Sequence, residues 1–371
     1  MGTFSEKPQQ PQQNAQAFGD YLLNDEEKAL HLTDNAVKIG SRRSQLAVIQ
    51  SEIVGKTINK FYPNIRTPVI KVSTLGDQVQ SKPLYTFGGK SLWTKELEIL
   101  LTEGIGEFPQ IDMIVHSLKD MPTVLPDEFE LGCILEREDP RDALVVKAGS
   151  SYKHLADLPE GSVVGTSSVR RSAQLLKNYP HLKFKSVRGN VNTRLRKLDD
   201  PESEFSCLIL AAAGLIRLGL HDRITYLLEV DEMYPAVGQG ALGVEIVKGN
   251  KRLQKVCEKI GSRSTTLKCI AERALLRTLE GGCSVPVGVW TTFNEKTDSM
   301  RLQSIVLSPD GTESIEKELT MKVTSSTDAA KLGEELGDVM IKNGAKKILD
   351  AINFGKINEM KQTGLIKKAA Q

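Results

Sequence analysis

The sequence predicts an α/β protein: two similar α/β domains with mostly parallel sheets around a cleft, followed by a small α+β domain. Three observations carry this. Short apolar runs alternate with amphipathic helical stretches from Ala36 onward, the same strand, turn and helix order recurs after Ser162, and the pattern changes beyond Ser264. Such alternation implies parallel pairing, with ligands gathering at the carboxyl ends of the strands. At 371 residues the chain is long enough for two or three cores.

Residues 1–35 carry five glutamines, two prolines and few large apolar groups, and read as a disordered tail that cannot bury enough surface to offset its ordering entropy. From Ala36 a strand leads through the turn Gly40-Ser41-Arg42-Arg43 into a helix bearing Leu46, Ile49, Ile53 and Ile58 at helical spacing. Val69 to Ser73 reads as a strand, Gly76 to Lys90 as a loop, Leu92 to Leu101 as a helix and Ile111 to His116 as a strand. Ser162 to Gly165 then opens the second unit, with strands at Lys183 to Val187 and Cys207 to Ala212 and helices after each. Past Ser264 come a helix to Leu279, strands near residues 286–292, 301–307 and 315–321, and a helix from Asp328 to Ile352. The expected domains are therefore 36–136 with 237–258, then 141–234, which holds the arginine-rich side of the cleft, then 264–371.

Composition excludes several classes. The formal charge of +2 gives no support to nucleic-acid binding. Five scattered cysteines without a C-x-x-C pair argue against a zinc site or a disulfide framework, so no metal is expected, and they fit a reducing cytoplasm. The first arginine is Arg42 and no apolar core precedes it, so neither a transit nor a secretory signal is legible. The longest apolar run, Cys207 to Ile216, is about half a membrane span.

Between Thr166 and Lys197 stand nine Lys or Arg residues and no Asp or Glu. A solvated basic face is one reading. Placement favours another, because Thr166, Ser167 and Ser168 lie where a helix start leaves N–H groups unsatisfied and attracts anions. Helical spacing sends Val169, Ala173 and Leu176 to the core and leaves Arg170 and Arg171 at the helix mouth; Arg188, Arg194 and, from the first unit, Arg42 reach the same region. Guanidinium suits bidentate recognition of carboxylate or phosphate, so a polycarboxylate substrate is expected, with phosphates as the competitor.

A second constellation is Val-His116-Ser117-Leu118-Lys119-Asp120-Met121-Pro122, where Pro122 ends a buried strand and leaves Asp120 at its carboxyl end. A carboxylate there can act as an acid or base or stabilise a cation, a surface Lys-Asp pair being the plainer alternative. His116 stays unassigned. Gly238-Gln239-Gly240-Ala241-Leu242-Gly243 matches a dinucleotide pattern, but a strand rather than a helix follows it, so a hinge or a close backbone approach explains it better. Cys283 lies on the glycine-loosened loop Leu-Glu-Gly-Gly-Cys-Ser-Val-Pro; with no histidine beside it, a covalent anchor is a simpler role than a nucleophile.

Taken in order, the runs Ile-Gly-Ser-Arg42-Arg-Ser44-Gln-Leu-Ala, Gly89-Lys90-Ser-Leu-Trp-Thr-Lys-Glu-Leu, Val-His-Ser-Leu-Lys119-Asp120-Met-Pro-Thr, Glu-Asp-Pro-Arg-Asp-Ala, Gly-Thr166-Ser-Ser-Val-Arg170-Arg171, Arg188-Gly-Asn-Val-Asn-Thr-Arg194-Leu, Ala-Val-Gly-Gln239-Gly-Ala-Leu-Gly and Leu-Glu-Gly-Gly-Cys283-Ser-Val-Pro resemble the porphobilinogen deaminase family, also called hydroxymethylbilane synthases. The resemblance runs from about Val37 to Pro286 and more loosely to the last helix. It implies a periplasmic-binding-protein-like pair of domains plus a third. It also implies a dipyrromethane cofactor joined by thioether to Cys283, and a cytoplasmic, monomeric transferase of heme biosynthesis. That enzyme joins four porphobilinogen molecules head to tail with loss of ammonia, then releases the linear tetrapyrrole by hydrolysis. By resemblance Asp120 is catalytic, acting on the leaving amine and stabilising the cationic azafulvene. Arg42, Lys90, Lys119, Arg170, Arg171, Arg188 and Arg194 match side-chain carboxylate sites, with Ser44, Thr166, Ser167, Ser168 and Gln239 supporting them and Arg217 on the cofactor side. One departure is Thr86, where some members carry a lysine that Lys82 could replace. Two rivals stay open on the residues alone: a non-enzymatic anion-binding protein and a phosphate-ester transferase.

Overall fold

The computed structural model describes residues 25–32, 34–72, 95–106, 108–279 and 285–352. In chain order the first elements are α1 (Asp25–Lys28), β1 (Ile39–Arg42), α2 (Gln45–Phe61), β2 (Val69–Val72), α3 (Lys95–Thr102), β3 (Met113–Ser117) and β4 (Phe129–Ile134). Next come β5 (Asp142–Val146), β6 (Val163–Gly165), α4 (Val169–Asn178), β7 (Lys183–Lys185), α5 (Val191–Asp199), β8 (Phe205–Ala211), α6 (Ala212–Arg217) and β9 (Tyr226–Leu227). The chain closes with β10 (Leu242–Val247), α7 (Lys251–Ile260), α8 (Arg263–Thr278), β11 (Val287–Asn294), β12 (Ser299–Leu307), β13 (Ser314–Lys322) and α9 (Ser326–Lys342).

Two five-stranded sheets share one pairing scheme. The orders are β2-β1-β3-β10-β4 and β7-β6-β8-β5-β9. In each, the first two pairings are parallel and the last two antiparallel. The α/β expectation stands, but pairing is evenly mixed rather than mostly parallel. The reason is the path: the chain leaves the first sheet after β4, builds the whole second sheet, and returns to insert β10 between β3 and β4 in the opposite direction. Sequence pattern misses β4, β5, β9 and α7, which carry no isolated glycine-bounded apolar run. β5 and β8 sit inside their sheet with residues such as Leu144, Val145, Leu208 and Ile209 fully buried on both faces, as continuous apolar strands should.

The third unit is an antiparallel sheet β11-β12-β13 under α8 and α9. Leu267, Leu275, Leu302, Val306, Leu332, Leu336 and Met340 form its core. β13 alternates partly buried and exposed side chains, one face being wet. The expected helix from Asp328 to Ile352 is interrupted: α9 stops at Lys342, and Gly344 takes φ +106°, a conformation that ends a helix and starts the next turn.

The expected disordered tail over 1–35 is corrected for its last part. Glu27 is fully buried and accepts hydrogen bonds from the Asn64 backbone N–H (2.8 Å) and Nδ2 (2.9 Å). Leu30 packs into the core with Val37, Ile58 and Tyr62. A compositional average dominated by the glutamines hides that one leucine and one acid have sites to fill. Residues 1–24 lie outside the described ones.

Candidate active site in the cleft

β3 ends in a single 3-10 turn, Leu118–Asp120. Leu118 is 1% exposed and packs with Met121, Ile134, Ala241 and Cys269, while its N–H donates to Ala241 O at 3.0 Å. Pinning Leu118 leaves Lys119 and Asp120 projecting from a fixed turn, with Asp120 exposed. The glycine-rich run is what lets the turn seat. A Cβ on Gly238 would come within 3.1 Å of Leu118, and one on Gly240 (φ +86°) would lie 2.3 Å from Glu138 O. This is the close backbone approach expected in place of a dinucleotide loop, and strand β10 follows it.

Across the cleft, Ser168 caps α4 with extended backbone and no side-chain hydrogen bond, as does Ser44 on α2. Ser167 Oγ donates to Val187 O (2.8 Å), and Thr166 Oγ1 accepts from Ser168 N–H (3.2 Å). A different helix closes the span to the first unit: Asn192 Nδ2 of α5 donates at 2.9 Å to Gln45 Oε1 of α2, three residues past Arg42.

The face expected for α4 is corrected. Val169 is 37% exposed, whereas Arg170 and Arg171 are 5% and 7% exposed. They turn inward onto Asp142, a fully buried carboxylate at the start of β5. Arg171 reaches one oxygen with Nε (3.0 Å) and Nη2 (2.8 Å), Arg170 Nη2 lies 2.8 Å from the other, and Gln239 Nε2 donates at 2.9 Å. Their remaining donors meet Tyr234 O (2.6 Å) and Ile209 O (2.9 Å). The missing acid of the basic stretch thus comes from 24 residues upstream of Thr166, beyond the reach of local spacing. Burial alone would push the Asp142 carboxyl up; the charges of Arg170 and Arg171 and the Arg171 and Gln239 hydrogen bonds overcome it and hold the group well below the usual carboxylate range. Two guanidiniums on one carboxylate leave a surplus positive charge.

That surplus is felt by its neighbours. Burial pulls the Lys119 ammonium down to about 8; Asp120 and Asp142 favour its charged form, and Arg171 and Arg170 oppose it. Arg194 falls to about 10, chiefly by burial and then by Arg171 and Arg188, with Asp120 acting the other way. Arg217 also falls to about 10 through burial, while its Nη2 donates to Gly240 O at 2.6 Å. Lys119 and Asp120 from the first sheet and Arg171, Arg188 and Arg194 from the second therefore share one electrostatic neighbourhood. Arg42 lies half-buried at the end of β1. Lys90 and Cys283, with Lys82 and Thr86, lie outside the described residues, as do all of residues 280–284.

Residues that sequence reasoning missed include Asp142, visible only as an unassigned acid in Glu-Asp-Pro-Arg-Asp-Ala, and the buried Glu272 and Arg273 of α8. His116, left unassigned, places Nε2 at 2.7 Å from the buried Glu245.

A family model described as porphobilinogen deaminase, dipyromethane cofactor binding domain, matches residues 37–255, and one for the porphobilinogen deaminase C-terminal domain matches 266–342. The porphobilinogen deaminase of Candida albicans is 61% identical over 320 residues, covering 86% of this chain and 94% of that relative. That of Saccharomyces cerevisiae is 55% identical over 320 residues, with 86% and 98% covered. Among solved structures, the substrate-binding domain of a putative molybdenum ABC transporter from Clostridium difficile aligns at 13% identity and a TM-score of 0.37, over 62% of this chain and 94% of that one, too low to carry an argument. Family models over most of the chain, and relatives matched over nearly their full length, show that the chain belongs to the porphobilinogen deaminase family.

Proposed function

We propose a division of labour for hydroxymethylbilane synthesis in which Asp120 is the catalytic carboxylate, Cys283 anchors the dipyrromethane, and the cations of both sheets hold the pyrrole carboxylates. Family membership makes the chain a transferase of heme biosynthesis that carries this cofactor and acts on porphobilinogen. The single observation behind the residue roles is Asp120: an exposed carboxylate on a pinned turn, within electrostatic reach of Lys119 from its own sheet and Arg194 from the other.

The residues suit the cofactor. Two pyrroles bring four carboxylates, and they face Lys119, Arg188, Arg194 and the one positive charge that Arg170 and Arg171 leave over after pairing with Asp142. Gln239 Oε1 is buried without a hydrogen-bond partner among the described residues, an acceptor suited to a pyrrole N–H. When bound through Cys283, the dipyrromethane supplies the nucleophilic pyrrole carbon to which the first substrate unit joins.

The protein's part is charge and proton handling. As the carbon–nitrogen bond of porphobilinogen breaks, ammonia leaves with the electron pair; Asp120 offsets the cation that remains and takes the ring proton lost once the new carbon–carbon bond has formed. Arg42, Lys90, Lys119, Arg188, Arg194 and Arg217 hold carboxylates of the growing chain. Ser44, Thr166, Ser167, Ser168 and Gln239 add hydrogen bonds, and Arg170 and Arg171 supply their surplus charge through Asp142. The chain is read as three domains around the three sheets, acting as a cytoplasmic monomer without a nucleic-acid or membrane partner. The formal charge of +2 gives no support to a nucleic-acid partner, and among the described residues no helix is long and apolar enough to cross a membrane. Intact-mass measurement tests the anchor: two pyrrole units on the wild type and on variants of Cys133, Cys207, Cys257 or Cys269, and none on Cys283→Ser. An unmodified, fully active wild type overturns it.

A further inference from the structure

Past the Asp120 turn, a cavity of about 400 Å³ opens between the segment 123–131 and α8, with none of the cleft cations in its lining. One wall follows from helical spacing: Ile270, Arg273 and Arg277 stand at i, i+3 and i+7 and share a face of α8. Leu125, Phe129 and Leu131 form the opposite, apolar wall. Three charges stand in the lining with exposed side chains, Lys248, Arg277 and Asp127, and among the described residues none of their charged ends meets a partner. The fourth, Arg273, is buried and committed: Nη1 and Nη2 donate to Met121 O (3.3 Å) and Pro122 O, the two carbonyls that follow Asp120.

We propose that this cavity is a second, non-catalytic binding site for an aminoalkyl pyrrole dicarboxylate, the chemical class of the substrate itself. A flat apolar body, two anionic arms and one ammonium complement apolar walls, two free cations and one free acid. A polyphosphate would leave Asp127 opposed to like charge, and a simple fatty acid would leave Arg277 or Lys248 unmatched. The site also has a route to the chemistry. A ligand seated against Arg273 presses on the side chain that holds the carbonyls after Asp120, so occupancy modulates turnover at high substrate concentration. The identity of the ligand class rests on the porphobilinogen reading of the cleft; the existence of the cavity does not.

Equilibrium dialysis of the holoenzyme tests it, using a porphobilinogen analogue whose aminomethyl group is lengthened by one carbon, an amine that the pyrrole cannot expel. The expected result is two molecules bound per chain in the wild type. The Lys248→Gln, Arg277→Gln double variant should keep the cleft site and lose the other by about a hundredfold, since each charge-assisted contact is worth about tenfold or more. Asp127→Asn should weaken only the second site by about tenfold, and an analogue without the amine should not distinguish Asp127→Asn from wild type. Arg194→Leu separates the two sites, because it should lose the cleft molecule and keep the remote one. The same number bound with the same affinity in wild type and in the double variant overturns the second site, whatever Arg194→Leu does to the first.

Discussion

Arg137, where the chain first crosses between the two large sheets, grips both oxygens of Glu272 in α8, at 2.6 Å through Nη1 and 3.2 Å through Nη2. The same carboxylate accepts from Gly238 N–H (2.8 Å) in the returning crossing and from Thr291 Oγ1 (2.9 Å) in β11, while Arg137 Nε donates to Gln239 O (2.7 Å). One buried ion pair thus fastens both crossings to the third unit. Its hydrogen bonds are satisfied, which is the condition under which a buried pair is tolerated.

Removing one partner leaves a buried charge alone, which costs about 3–5 kcal/mol. Arg137→Met and Glu272→Gln should each lower stability by about that amount, read as a drop in the denaturant midpoint, with loss of activity at temperatures where the wild type works. The Arg137→Met, Glu272→Leu double variant should recover part of the loss, because no charge is stranded. A midpoint unchanged in both single variants would contradict the role given to the pair.

Arg171 and Arg188 are expected to differ in kind. Arg171 is 7% exposed and neutralises Asp142, so Arg171→Leu should weaken both the fold and cofactor assembly. Arg188 is half-buried on the cleft side of its turn, so Arg188→Leu should impair chain extension about tenfold or more with the melting temperature unchanged. Arg196, exposed on the far side of α5, serves as control. Equal melting losses at 171 and 188, or equal activity losses at Arg194 and Arg196, would sink the distinction.

Lys119 gives a pH prediction. With its ammonium lowered to about 8 in the folded chain, against 10.5 ordinarily, the folded state sheds a proton that the unfolded state retains between those values. Stability therefore gains as pH rises through about 8, while affinity for carboxylates declines over the same interval. The KM for porphobilinogen should rise from neutral pH to pH about 9 in the wild type, and Lys119→Arg, whose guanidinium stays charged, should flatten that rise. Parallel pH profiles for the two proteins would show that Lys119 is not the group.

Much of this was legible in the sequence, for reasons that particular residues make plain. The Leu118–Pro122 segment announces its turn because a buried strand meets a proline. What failed was long-range. Spacing along α4 placed Arg170 and Arg171 outside because it weighs apolar residues, and Asp142 could reverse that face only by arriving from another strand. The antiparallel β10 was equally hidden, since its direction is set by the journey through the second sheet. Burial of Glu27 likewise depends on Asn64, which no local pattern pairs with it. The two rivals left open by the residues, an anion-binding protein and a phosphate-ester transferase, give way to the family match rather than to geometry.

Asp120 is expected to carry the chemistry. Leu118 fixes the turn, so Asp120→Asn keeps the size and the local packing while removing the charge and the proton-accepting oxygen. A carboxylate that stabilises charge arising only as ammonia departs contributes to the transition state more than to binding, and preorganised groups of this kind are worth about a hundredfold to a thousandfold in rate. Asp120→Asn should therefore bind substrate with KM little changed and turn over at least about a hundredfold more slowly. Asp120→Glu, with the carboxylate displaced by one methylene, should keep a measurable fraction of activity. Because cofactor assembly uses the same chemistry, each protein must first be weighed for its two pyrrole units, and the rates compared only for holoenzyme. Holoenzyme of Asp120→Asn working near the wild-type rate would mean that another group accepts the proton. Lys119 is the neighbour that a pH profile of that variant would then expose, since burial already pulls its ammonium down and the variant removes the Asp120 charge that favours the protonated form.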